Sequence, residues 1–353
     1  MIEPRADVAL MPGYHSAQVE VKVRLNTNEA PEPPPAAFTE RLAEELHRID
    51  WHRYPDRAAG ELRAAIADLH GVSSAQVFVA NGSNEVLQTL CLTYGGAGRT
   101  AAVFEPTYAL HSHIARITGT GVIVGTRRED FTIDLDEVGR VLRDGNPEIT
   151  FLCSPNNPSG TVDPPTVTET VLATAPGLVV VDEAYGQFAP RSAIGDVSDD
   201  GHRDLVVVRT FSKTWSMAAA RLGYCVAPQR IVAQLEKVVL PYHLDAMKQV
   251  AGRLALEYRA EMDARVSAIV EERGRLAAGL ADLPVDVWPS GANFILFRPR
   301  ATDGEAVWQG LVDRSVLVRN CASWPRLDGC LRVTVGTPAE NDAFLAALAE
   351  VLS

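Results

Sequence analysis

An α/β fold, with a mostly parallel sheet flanked by helices and a second, smaller unit, is what this sequence predicts. Three observations predict it: seven short β-branched runs, helical or turn-like segments between them, and a length of 353 residues with 46% hydrophobic content. A single core stops growing near roughly 250 to 300 residues, so the apolar residues are expected to divide between a large core and a small one.

The first 40 residues are rich in proline and polar residues, with APEPPP at 30–35, which suits neither a helix nor a central strand. They are expected to form an extended arm. Apolar residues at helical spacing follow in RLAEELHRI, from Arg41, and, past the YPD turn at 54–56, in ELRAAIADLHG, which stops at Gly71. The rhythm then changes to VFVA (77–80), AAVFE (101–105), GVIVG (121–125), ITFLC (149–153), LVVVDE (178–183), LVVVRTF (205–211) and YCVA (224–227). Such continuous apolar runs suit strands buried on both faces by α/β crossovers. From Leu240 to Leu283 the chain is helical in pattern and charged on one side, fit to bridge two domains. Beyond it NFILFRP, VLVRN and LRVTVG suggest a small sheet, closed by the helix AENDAFLAALAEVL. The expected division is an arm with part of the small domain at 1–40, a large domain at 41–240, and an interdomain helix with the small domain at 241–353.

A formal net charge of −12 opposes non-specific attraction to nucleic acid or anionic lipid, so a small-molecule substrate fits better. The five cysteines form no CxxC pair, have no histidine at metal-ligand spacing and are odd in number. They read as reduced thiols in a cytoplasmic protein with no metal. The first residues lack the basic start and apolar stretch of a signal peptide, and no run of about 18 uncharged apolar residues occurs, so export and membrane insertion are not expected.

The most informative segment is VRTFSKTWSMAAARLGY, where a strand runs into hydroxyl residues, Lys213 and then Arg221. An amine in low-dielectric, cationic surroundings loses its proton readily, forms an imine with an aldehyde cofactor and later shuttles a proton. Thr210, Ser212 and Arg221 would then supply donors to a phosphate. Taken alone, the segment fits a solvent-exposed loop lysine as well. LVVVDEAY shifts the balance, because Asp182 ends an otherwise apolar strand, where open α/β sheets bind ligands. A buried carboxylate without a partner costs several kcal/mol, and a protonated pyridine nitrogen would be one. Tyr185 is placed to direct its hydroxyl at the neighbouring phenolic oxygen, although a capping Asp and a core Tyr remain open for either residue singly.

Three further strand ends add to this. Asn157 in CSPNNPSGT is placed to donate to the phenolic oxygen and lower the imine pKa, or is part of a structural turn. Gly82, Ser83 and Asn84 open a helix whose free N–H groups and positive dipole suit a phosphate. Tyr108, just past another strand, is a core tyrosine or a plate stacked on the ring.

In combination these motifs resemble fold-type I pyridoxal-phosphate (PLP) aminotransferases, and among them the histidinol-phosphate aminotransferase family. The resemblance runs almost end to end through RLNTNEAP, RYPD, NGSNE, PTY, SPNNPSGT, DEAY, RTFSK, RLGY, PYHL and CLRVTVGT. It implies that Lys213 carries the cofactor, Asp182 meets the pyridine nitrogen, and Tyr185 and Asn157 reach the ring oxygen. It implies also that Tyr108 stacks on the ring while Ser83, Asn84, Thr210, Ser212 and Arg221 surround the phosphate. Tyr54 of RYPD resembles the tyrosine that reaches the cofactor phosphate of a partner subunit, which implies a homodimer with shared sites. Arg332 matches the arginine that grips the substrate anion, and Arg319 a second arginine for the substrate phosphate or the distal carboxylate of glutamate. One departure stands out: where the family carries an aromatic residue in the arm, this sequence has NEAPEP, with Ala30 and Glu32. Either Glu32 points to solvent, or the substrate lacks the phosphate that a carboxylate would repel. The implied reaction is transfer from L-histidinol phosphate to 2-oxoglutarate. The alternatives are an aminotransferase for aromatic or guanidino amino acids, a PLP decarboxylase resembling threonine-phosphate decarboxylases, and a non-catalytic binding protein.

Overall fold

Side-chain alternation along the seven apolar runs explains the larger of two sheets in the computed structural model, which describes residues 2–4, 6–9, 11, 13, 18–200 and 204–353. A three-residue strand in the arm is β1 (Val23–Leu25). The runs themselves are β2 (Val77–Ala80), β3 (Thr100–Glu105), β4 (Gly121–Thr126), β5 (Ile149–Cys153), β6 (Leu178–Asp182), β7 (Leu205–Thr210) and β8 (Gly223–Val226). In β6 and β7, Val179, Val181, Leu205 and Val207 enter one apolar cluster while Leu178, Val180, Val206 and Val208 enter another. Successive side chains point to opposite faces, so a strand with both faces covered must be apolar throughout.

The strand order is β2-β8-β7-β6-β5-β3-β4. The pairs from β7 to β4 are parallel, and only β8 runs against its neighbours β7 and β2. The carboxyl ends of β2, β3, β5, β6 and β7 therefore share one edge, where open α/β sheets hold ligands. The chain turns back from β7 into β8 through residues 211–222, and Lys213 sits on that turn.

The small sheet has five strands, ordered β1-β11-β12-β10-β9, with β9 (Val285–Val287), β10 (Phe294–Pro299), β11 (Val316–Asn320) and β12 (Leu331–Thr334). The sequence signals β10 to β12 but not β1 or β9. Each of these two has three residues and one buried side chain, too few to show a period of two. β1 lies parallel to β11, so the arm is a structural part of the small sheet. The helix read from Arg41 begins at Ala36 and runs to Leu46. Pro35 stands at its N-cap, before any intrahelical N–H is needed.

The segment 240–283 forms two helices, Ala246–Glu257 and Arg259–Ala281. The second starts in the large core with Met262 and ends in the small one with Ile269, Leu276 and Leu280. Trp215 is buried in the large core against Phe211, at 5.6 Å between ring centroids. Among the described residues no helix is long and apolar enough to cross a membrane, and no group of His, Cys, Asp or Glu has the arrangement of a metal site.

Candidate active site

One cavity lies at the carboxyl edge of the large sheet, and its walls include Ser83, Asn84, Tyr108, Asn157, Asp182, Tyr185, Thr210, Ser212, Lys213, Arg221, Arg319 and Arg332. Twelve of the fourteen residues singled out in the sequence are therefore brought together. At one end, helix Ser83–Tyr94 begins with first-turn N–H groups that have no intrahelical acceptor. Gly82, at φ +83°, leads into it, and a Cβ there would lie 3.0 Å from the Arg221 Nη2. Gly223 is equally constrained, since its Cβ would fall 2.3 Å from the Ser83 nitrogen. The Arg221 Nη1 donates to the Ser212 Oγ at 3.2 Å, and the Ser212 N–H donates to the Thr210 Oγ1 at 3.1 Å. Two glycines thus let an arginine and two hydroxyls crowd a helix N-terminus, the donor set that suits a phosphate dianion.

Asp182 is 2% exposed at the end of β6. Its Oδ1 accepts from the Ala184 N–H at 2.9 Å, and its Oδ2 is 3.0 Å from the His111 Nε2. His111 is fully buried, with its ring stacked on Phe151 at 4.9 Å. It fixes the Asp182 carboxylate from behind, and sequence reasoning missed it because a histidine on an amphipathic helix looks like any core residue. Tyr108 packs edge-on to the same imidazole at 5.4 Å and donates its hydroxyl to the Asn84 Oδ1 at 3.2 Å.

Lys213 donates from Nζ to the Thr27 carbonyl at 3.0 Å, and Nζ lies 5.7 Å from the Tyr185 ring centroid. Burial, followed by the positive charges of Arg332 and Arg221, lowers its pKa to about 7, although Glu29 opposes the shift. The side chain is largely buried in the cavity wall, and the loss of water around the amine disfavours its charged form. Burial likewise raises the Tyr185 hydroxyl to about 12, so it stays protonated at neutral pH. That hydroxyl accepts from the Asn28 Nδ2 at 2.9 Å.

The arm is thereby part of the site, which RLNTNEAP alone did not reveal. Asn26 offers its carbonyl to the Arg332 Nη2 at 3.0 Å, Thr27 its carbonyl to Lys213, and Asn28 its amide to Tyr185. Asn28 adopts φ 55°, the left-handed region that asparagine tolerates better than most residues. Arg332, 5% exposed, also donates to the Asn157 Oδ1 and lies 5.0 Å from the Phe294 ring centroid. Its Nε is buried with no protein partner, an unmet donor beside the cavity. Arg319 pairs in register with Arg332 across β11 and β12. Trp324, another lining residue that the sequence reading missed, stands beside it.

Two expected residues lie outside the cavity. Tyr54 is 79% exposed and stacks on Tyr242 at 4.5 Å between ring centroids. Glu32 is exposed on the surface, in the run whose Pro33 carbonyl accepts from the Arg265 guanidinium. Of the two alternatives the sequence left open for Glu32, the proline run carries it to the surface, outside this chain's own cavity. Free N–H groups and Arg221 at one end, a buried carboxylate in the middle and a low-pKa amine opposite fit a phosphorylated, protonated pyridine bearing an aldehyde.

Residues 20–348 match the family described as aminotransferase class I and II. The histidinol-phosphate aminotransferase of Frankia casuarinae is 43% identical, with 96% of this chain and 88% of the relative aligned. That of Streptomyces avermitilis is 44% identical over 96% and 93%. Among solved structures, the histidinol-phosphate aminotransferase of Sinorhizobium meliloti in complex with pyridoxal-5′-phosphate superposes with a TM-score of 0.84. At 24% identity, over 94% of this chain and 91% of that one, this likeness speaks to the fold.

Proposed function

The chain belongs to the class I and II aminotransferases, and on that footing we propose that its site moves the amino group of L-histidinol phosphate to 2-oxoglutarate, giving imidazole acetol phosphate and L-glutamate. It is a PLP-dependent enzyme of histidine biosynthesis. The observation that carries the reading is the convergence of Asp182, Lys213, Arg332 and Arg319 on one cavity, since it joins the cofactor's requirements to two anion-binding groups.

When bound, the cofactor supplies an aldehyde that takes up the amino group and a pyridinium ring that withdraws electrons from the Cα–H bond. The protein supplies the rest. Ser83, Asn84, Thr210, Ser212 and Arg221 would hold the phosphate, and Tyr108 would cover a ring face. The Asp182 carboxylate keeps a proton on the ring nitrogen, oriented by His111. Tyr185 and Asn157 donate to the ring oxygen. Lys213, its pKa lowered to about 7, would take the proton from the donor's Cα at Nζ and return it to the carbon that had carried the aldehyde oxygen, across the amino nitrogen. Arg332 binds the carboxylate of the acceptor, and Arg319 the phosphate of the donor or the distal carboxylate of glutamate.

Tyr54 supports a homodimer in this reading. Its exposed ring, stacked on Tyr242, lies outside its own chain's cavity, which is what a residue that serves a partner's phosphate site requires. The proposed assembly is a dimer with shared active sites in the cytoplasm. Glu32 on the surface removes the reason to prefer a cationic donor.

A donor panel tests the substrate. With 2-oxoglutarate as acceptor, kcat/KM for L-histidinol phosphate is expected to exceed that for L-histidinol, phenylalanine or arginine by about 30-fold or more. That ratio corresponds to the ~2 kcal/mol of one charge-assisted contact. A preference for arginine or phenylalanine would replace the donor, and carbon dioxide release independent of a keto acid would replace the reaction.

A further inference from the structure

We infer that Trp324 is the positioning residue that gives Arg319 its hold on the donor's phosphate and so sets which donors this site accepts; the inference rests on the donor proposed above. Arg319 and Arg332 are directly opposed across antiparallel strands, which puts both side chains on one face. Like charges at such positions repel, and a broken local rule of this kind belongs to a site that receives an anion. Arg332 is tied down by Asn157 and the Asn26 carbonyl. Arg319 is held differently: its guanidinium carbon lies 5.1 Å from the Trp324 ring centroid, within cation–π range.

The ring itself is fixed at its far edge. The Trp324 Nε1 donates to the Thr107 carbonyl at 3.0 Å, and Thr107 is in turn held by Asn156 and Glu105. This places the indole between the turn that carries Tyr108, on the large sheet, and the arginine of the small one. The loop 321–330 is built to keep it there. The Cys321 N–H donates to the Cys330 carbonyl at 2.9 Å and closes the neck, and successive turn bonds join Trp324 to Cys321, Leu327 to Trp324 and Cys330 to Leu327. Phe131, Leu296, Cys321, Leu327 and Cys330 pack with the indole as a separate apolar cluster. The tryptophan face is thus a preset shelf: Arg319 does not need to be ordered when the phosphate arrives, and ordering a long side chain is what binding otherwise costs.

The test is the ratio of kcat/KM for L-histidinol phosphate to that for L-histidinol, measured in the wild type, Trp324→Leu, Trp324→Phe, Arg319→Gln and the Trp324→Leu/Arg319→Gln double variant. The ratio should fall about tenfold in Trp324→Leu, between the sizes of an exposed and a desolvated cation–π contact, with the loss in KM for the phosphorylated donor rather than in kcat. Trp324→Phe, with a smaller and weaker ring, should lose about threefold, and it carries the test should Trp324→Leu not fold. In the Arg319→Gln background Trp324→Leu should have no further effect on the ratio. An unchanged ratio in both Trp324 variants, a loss confined to kcat, or full additivity with Arg319→Gln overturns the inference and leaves the donor assignment standing. A wild type that does not distinguish the two donors overturns the donor assignment and the inference with it.

Discussion

Lys213→Ala is expected to abolish turnover, by ~10⁴-fold or more, the upper range for a positioned acid–base group. Among the described residues Lys213 is the one lysine in the cavity wall, so none of them offers a second amine to receive the Cα proton. The substitution removes a side chain whose main protein contact is a single carbonyl, that of Thr27, and leaves the surrounding packing in place. The fold should therefore survive, which circular dichroism would check, while the visible absorbance of the lysine-linked cofactor disappears. A variant that keeps both colour and turnover would remove Lys213 from the mechanism.

The second large effect is expected at Asp182. Asp182→Asn should lower kcat by on the order of 10²- to 10⁴-fold at saturating cofactor, because a neutral amide cannot hold the proton on the pyridine nitrogen. It keeps a hydrogen-bond partner for the buried His111 Nε2, so its thermal stability should stay close to wild type. Asp182→Ala should show the same catalytic loss together with about 1–3 kcal/mol of destabilisation, the cost of leaving His111 buried without its acceptor. Comparing the two separates the electrostatic role from the structural one. A kcat for Asp182→Asn above a tenth of the wild-type value would contradict the role given to the carboxylate.

How much of this was legible in the sequence depends on the kind of signal each residue carries. The large sheet was legible because a strand buried on both faces must be apolar throughout, and runs of that kind leave few other folds, although β4, at the sheet's edge, is only partly buried. Asp182 was legible for the converse reason, as a charge at the end of a wholly apolar strand. Lys213 and Arg221 became readable only beside it. β1 was not legible, since three residues carry no periodicity, and with it went the contributions of Asn26 and Thr27, through their backbone carbonyls, and of Asn28, through a side-chain amide on a left-handed turn. His111 and Trp324 lie in an amphipathic helix and an irregular loop, where nothing in the residue pattern separates a group that holds another from one that fills space. Glu32 was ambiguous because its direction depends on the proline arm, and only the fold carries it to the surface.

The most direct test of the central claim is a pH series of cofactor capture by the cofactor-free protein, stopped by borohydride and read as pyridoxyl mass on peptides. A desolvated lysine flanked by two arginines is neutral, and so nucleophilic, at a pH where an ordinary lysine still carries its proton. The expected result is a single labelled peptide, the one containing Lys213, with a capture rate that rises with pH through about 7. Label on another lysine, or a rate that rises only toward the ordinary lysine range near ~10.4, would contradict the account.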